Sequence, residues 1–167
     1  MRILMAGFKR DEAAKHFENT VAQPVEWERH AAVLDGVQLQ LLRAIHGNKA
    51  RFWGILPVGS NKRAADEVSP GDQIWFHADN FVQWVATVLT VFRNPALARM
   101  LWGAKPDSQT WSQILTVSEP QPASIAKSAI AARVGYQTDF TWQGARLLTE
   151  EQSRRLPLIF DLGPTNS

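Results

Sequence analysis

Apolar residues recur along this chain with two periods. Leu34, Val37, Leu41 and Ile45 stand at i, i+3, i+7 and i+11, which predicts an amphipathic helix over 33–46. Gly47-Asn48 suits its end, because both residues tolerate a left-handed cap, while Gly36 is unfavourable within it. A period of two appears at Val82, Trp84, Ala86 and Val88, which predicts a strand over 81–92 with these four on one face. Dense aromatic and β-branched runs predict further strands at 51–58 (RFWGILPV, closed by Pro57), 73–78 (QIWFHA) and 110–117 (TWSQILTV). Residues 2–8, RILMAGF, fit a strand or the start of a helix, and residues 9–31 are polar and mixed.

Turn residues divide these runs. Ser69-Pro70-Gly71-Asp72 is a turn in which Pro presets φ and Gly supplies φ > 0. Asp79-Asn80 is a hairpin break. Residues 61–67 fit a loop or a helical turn. Asn94-Pro95 opens a short helix over 93–103, as an N-cap followed by Pro at the first helical position. The EPQP stretch at 119–122 reads as a rigid linker, and 125–133 as a helix ended near Gly135. Thr149 caps a last helix with Glu150, Glu151 and Gln152 in its first turn, limited by Pro157. The tail 161–167, DLGPTNS, reads as a linker. The order predicts an α+β fold: a mostly antiparallel, barrel-like sheet with helices on its outside.

Composition narrows the field. A chain of 167 residues, 45% hydrophobic and 20% charged, is one globular domain and not a collagen, coiled coil or disordered tract. The lack of cysteine removes disulfides, thiolate metal sites and cysteine nucleophiles. No apolar run approaches the ~20 residues of a membrane span. The first residues, MRILMAGFKRDEAAKHFENT, lack the shape of a secretory signal, so no membrane partner is expected and the cytoplasm is the expected compartment. A net charge of +2 is too small to imply nucleic acid by itself.

Catalytic motifs are missing. There is no GxxxxGK[ST], GxGxxG or GxSxG, and His16, His30, His46 and His77 are not at metal-ligand spacing, so no cofactor and no metal is expected. His77 beside Asp79 fits a base with its orienter, or a strand-end histidine bonded to a neighbouring loop. Lys62, Arg63, Arg93, Arg99 and Lys105 fit phosphate contacts or plain solvated side chains. Seven tryptophans accompany a single tyrosine. Trp27 and Trp142 read as packing residues, and mid-strand Trp53 and Trp75 as core. Trp84, Trp102 and Trp111 lie near strand or helix ends, where pocket walls form; converging aromatics there would stack a flat ring.

The ordered segments RFWGI, SPGDQIWFHADN, FVQWVATV, NPALARMLWG, TWSQILTVSEP and GYQTDF-x-x-QG resemble the PUA-like superfamily. Within it they are most similar to the EVE and YTH-like domains of modification-dependent restriction proteins. The resemblance spans about residues 50–155. It implies a small β-barrel that flips a modified base into an aromatic pocket, with modified DNA as partner and a nuclease or translocase on another part of the chain or another chain. It divides the chain into an N-terminal elaboration (1–50) packed on the barrel, the base-binding domain (51–160) and the tail.

By position, the resemblance implies pocket roles for Trp102, Trp84 and Trp111, for Gly59 and Ser60 at the end of the first barrel strand, and for His77, Asp79 and Asn80 at the rim. The YTH cage tryptophan just after the first strand has no counterpart in SNKRAADE, which favours the EVE-like version. Asp79 is an acceptor suited to a cytosine amino group, so the ligands expected first are 5-methylcytosine and 5-hydroxymethylcytosine in DNA. N6-methyladenine or modified RNA is the alternative, and an enzyme acting on a nucleoside-like substrate is a third. In the first two readings the chain is a binding module rather than an enzyme.

Overall fold

The computed structural model describes residues 1–156. Pro157 and the tail 161–167 lie outside the described residues. Seven strands form one sheet: β1 (Ile3–Gly7), β2 (Arg51–Ile55), β3 (Gln73–Ala78), β4 (Phe81–Arg93), β5 (Gln113–Val117), β6 (Gln121–Ala126) and β7 (Ala145–Leu147). Their order is β2-β5-β4-β3-β1-β7, with β6 paired to β4. Only β1 and β3 run parallel among these pairs. The sheet curls into a half-barrel flanked by helices, the α+β architecture expected from the order of elements.

The curl originates in β4. Its first half pairs with β3 and β6, its second half with β5, and bulges interrupt it between Val82 and Trp84 and between Val88 and Thr90. A bulge inserts a residue and sharpens the twist. It also breaks the simple alternation read from the sequence. Val82 packs with Val85 on one side of the sheet, while Trp84, Ala86 and Val88 pack on the other.

β1 and β3 are buried on both faces, so residues 3–6 and 74–76 are continuously apolar rather than alternating. Leu4, Ala6, Ile74 and Phe76 face one cluster with Trp53 and Leu115; Ile3, Met5 and Trp75 face a second with Ile130 and Val134. β1 is therefore a strand of the sheet itself, paired to β3 and β7, rather than part of an elaboration laid upon it. A third cluster joins Trp27, Leu42, Phe52, Leu97 and Ile114.

The helices are α1 (Asp11–Phe17, continued as a π-turn over Glu18–Ala22), α2 (Gly36–Ile45), α3 (Lys62–Glu67), α4 (Pro95–Trp102), α5 (Lys127–Val134) and α6 (Glu150–Arg154). The expected caps are in place: Asn94 accepts from the Leu97 N–H at 2.8 Å, Thr149 from the Gln152 N–H, and Gly135 ends α5 at φ 83°. Asp35 caps α2, so Leu34 precedes the helix and Gly36 opens it. The face turned inward carries Gln38 and Leu42, and Val37 and Ile45 are exposed.

Two strands went unread in the sequence. The EPQP stretch is not a linker: Gln121 begins β6, and Pro122 sits opposite Trp84 on this peripheral strand, where the missing N–H costs no ladder bond. β7 has only three residues. Residues 9–31 also hide order, because Ala13, Phe17 and Val21 at i, i+4 and i+8 turn α1 and its π-turn onto the sheet.

Candidate functional site

The carboxyl end of β1 stops short beneath α1 and leaves a cavity of about 150 Å³. Its lining comes from Ala6 and Gly7 of β1, Ala13 and His16 of α1, Trp53 to Leu56 at the end of β2, and Asn61, Trp111, Gly144 and Ala145. Gly7, Ala13, Asn61 and Gly144 also line a wider cleft of about 780 Å³, so the cavity opens into the cleft. Lys9, Arg10, Lys105 and Lys127 line that cleft, with Ser60, His77, Asp79 and Asn80.

Gly54 shapes the back of the cavity. A Cβ there would lie 2.5 Å from Trp102 Cζ3 and 2.6 Å from Trp111 Cβ. Only glycine lets both tryptophans close against the β2 backbone. The His16 ring meets Trp111 edge-on at 4.5 Å and lies tilted to Trp102 at 5.5 Å. Trp102 Nε1 donates to Thr20 Oγ1 at 3.1 Å, tying α4 to the π-turn. Lys105 Nζ stands 5.9 Å from the centre of the Trp111 ring. Burial pushes the His16 imidazole down to about 4, so it is neutral at pH 7 and offers one donor and one acceptor.

His77 lies under Gly7, where an added Cβ would approach its Cε1 at 3.3 Å. Its pKa is pushed down to about 4, first by burial and then by Lys127. Its Nε2 is buried without a partner. Asp79 takes a positive φ of 53° at the first position of the β3–β4 turn, and its carboxylate pairs with Lys9. Asp79 is thus engaged across the cleft by Lys9, and the expectation of His77 with Asp79 as its orienter has no such contact to rest on. Burial lowers the Lys127 pKa, with Asp79 opposing and Lys9 adding to the shift. Arg10 and Lys127 have no ion pair among the described residues, so the cleft offers cationic groups that are not already neutralised.

The structure brings Trp111 to the cavity, and Ser60, His77, Asp79, Asn80 and Lys105 to the cleft. It does not bring the others there. In place of a wall position, Trp102 stands one layer behind the wall, against Gly54 and His16. Trp84 packs among Phe17 and the sheet residues, because it shares with Ala86 and Val88 the face of β4 turned to this core. Gly59, at φ 56°, lines neither space. Lys62 and Arg93 both pair with Asp66, Arg63 pairs with Glu67 at 3.1 Å, and Arg99 donates to the Ser108 carbonyl at 3.5 Å. These four lie outside the cleft lining, on helix faces or strand ends where a partner is in reach.

Sequence reasoning missed Trp53, His16, Asn61, Lys9, Arg10 and Lys127. The first three need β1 placed within the sheet before α1 can be seen to cover it. Trp142, read as packing, is buried at 7% exposure yet borders the cleft.

No family model and no curated protein matches the chain. Among solved structures it is similar to the N-terminal domain of McrB from Thermococcus gammatolerans bound to m5C DNA, at 13% identity, 96% of both chains and a TM-score of 0.68. Rpa0253 from Rhodopseudomonas palustris aligns over 92% of this chain and 89% of its own at 10% identity, with a TM-score of 0.45. The first likeness shows a shared fold over nearly the whole chain, and the half-barrel sheet flanked by helices is consistent with the PUA/EVE-like fold expected from the sequence. Among the described residues no helix is long and apolar enough to cross a membrane, and no group of three or more His, Asp and Glu is placed to hold a metal ion.

Proposed function

We propose that this chain reads a modified base in DNA by flipping it into the cavity between β2 and α1. One observation carries the reading: a ring-sized cavity walled by Trp53, Trp111 and neutral His16 opens at the floor of a cleft lined by Lys9, Arg10, Lys105 and Lys127. A cavity of about 150 Å³ takes up a benzene ring, and the space here has that volume. The McrB domain of the same fold, bound to m5C DNA, supports the choice of DNA and of 5-methylcytosine over other flat ligands.

The energetics are coherent. Unstacking the base costs a few kcal/mol. Stacking on aromatic side chains returns about 1–3 kcal/mol per contact. Phosphate contacts along the cleft supply affinity without sequence information. Burial of one methyl is worth only about 0.8 kcal/mol, so discrimination against plain cytosine depends on close fit at the wall formed by Trp111 and the Gly54 backbone. As a reader, the domain would direct a nuclease or translocase on another part of the chain or another polypeptide.

The test is a fluorescence-anisotropy titration at one fixed salt concentration. Matched duplexes carry cytosine, 5-methylcytosine, 5-hydroxymethylcytosine or N6-methyladenine, with an RNA set beside them. The expected result is at least tenfold tighter binding, about 1.4 kcal/mol, to a modified-cytosine duplex. Equal binding to every duplex contradicts the proposal, as does a preference for RNA.

A further inference from the structure

Asn61 stands where the cavity meets the cleft, and its amide is not free to rotate. The Ala145 N–H donates to its Oδ1 at 2.9 Å. A backbone N–H can only face the oxygen of an amide, so this bond fixes which end of Asn61 is which. The fixing is tight on the other side as well. Gly144 has a φ of 60°, and a Cβ there would fall 2.2 Å from Oδ1, so the segment before β7 accepts only glycine against this side chain. Nδ2 is turned away from Gly144 and has no hydrogen-bond partner among the described residues. It is not among the fully buried unpartnered atoms and is open to a ligand. Asn61 therefore presents the mouth of the cavity with donors and no acceptor.

We infer that Asn61 reads the pairing edge of the flipped base, donating from Nδ2 to the unprotonated ring nitrogen N3 of cytosine. The inference rests on the base-reading proposal and names the discrimination made by the same site. Cytosine carries a lone pair at N3, whereas thymine carries N3–H, which would face the Asn61 N–H donor to donor. Thymine has the same ring and the same 5-methyl as 5-methylcytosine. Neither size nor methyl contact separates the two, and a polar group must. An unpaired buried donor costs more than a weak contact gains, so this difference is large enough to exclude thymine.

The test compares affinity for duplexes holding 5-methylcytosine opposite guanine and thymine opposite guanine. The mismatch makes thymine the easier base to flip, which biases the comparison against the inference. The intact protein should favour 5-methylcytosine at least tenfold. Asn61→Asp keeps an oxygen for the Ala145 N–H but replaces the donor with an acceptor. Its added negative charge weakens both duplexes alike and cancels in their ratio. That ratio should fall to unity or invert in favour of thymine, whose N3–H can donate to the new carboxylate, whereas in Asn61→Ala it should fall to within about twofold of unity, with melting curves reporting that both variants fold. A tenfold ratio retained in folded Asn61→Asp overturns the assignment of Asn61 while leaving the reader proposal standing. A wild-type protein that fails to separate 5-methylcytosine from cytosine overturns the reader proposal instead.

Discussion

Replacing Gly54 by alanine adds one methyl where the structure leaves no room. The new Cβ would stand 2.5 and 2.9 Å from Trp102 Cζ3 and Cη2 and 2.6 Å from Trp111 Cβ. Carbon atoms pack at about 3.5–4.0 Å, so both side chains must retreat by roughly 1 Å. Gly54 pairs with Ile114 inside the sheet, which keeps the backbone from giving way. Overpacking of this kind costs about 1–3 kcal/mol. Movement of the Trp102 ring also stretches the 3.1 Å bond from its Nε1 to Thr20 Oγ1, adding about 1 kcal/mol. A total of about 2–4 kcal/mol lowers the melting temperature of a chain this size by roughly 5–15 °C. Urea unfolding followed by tryptophan fluorescence reads the loss, and the same protein in the duplex titration reads the displaced wall as weaker 5-methylcytosine preference. Gly54→Ala with unchanged stability and unchanged preference would refute this account of the cavity's back wall.

Further outcomes follow from the same geometry. His16 and His77 are held near 4 against an ordinary 6.5, so the unfolded chain binds more protons between those values. Stability is fully present above pH 6.5 and falls as pH drops toward 4, by on the order of 2–3 kcal/mol for His77. Urea midpoints at pH 5 and 7.5 should therefore differ less in His77→Gln than in the wild type, and an equal difference refutes the burial argument. Arg10→Ala and Lys127→Ala should each weaken binding to all duplexes alike and reduce the salt slope by about 0.9 for each phosphate no longer neutralised; a change confined to the modified duplex would place these residues at the base instead. Trp111→Ala should erase the preference for 5-methylcytosine. Trp84→Ala should lower stability by about 2–4 kcal/mol and leave the preference intact below its melting point, and the reverse pattern would return Trp84 to the pocket.

Local chemistry made much of this fold readable. β3 keeps the bounds of its apolar run, β4 extends one residue beyond its own, and the caps at Asn94, Gly135 and Thr149 sit where their side-chain or backbone chemistry demands. Elements defined by partners were not readable. β6 contains a proline that argues against a strand until the sheet supplies Trp84 and Val85 beside it, and β7 is too short to show a period. The site divides in the same way. Ser60, His77, Asp79, Asn80 and Trp111 sit at strand ends and loops visible in the sequence. Asn61 and His16 gain their places only once β1 enters the sheet and α1 and Gly144 close over its end. Val82 illustrates the converse, since the bulge between it and Trp84 set it on the face opposite Trp84, Ala86 and Val88, with which alternation had grouped it.

The most direct measurement places 2-aminopurine beside the modified base and follows its fluorescence during titration with the protein. Flipping unstacks the neighbour, so emission should rise on binding to the 5-methylcytosine duplex, remain low on the cytosine duplex, and stay low with Trp111→Ala. Tight binding to the 5-methylcytosine duplex with no rise in emission would contradict the central claim that the base leaves the stack to enter the cavity.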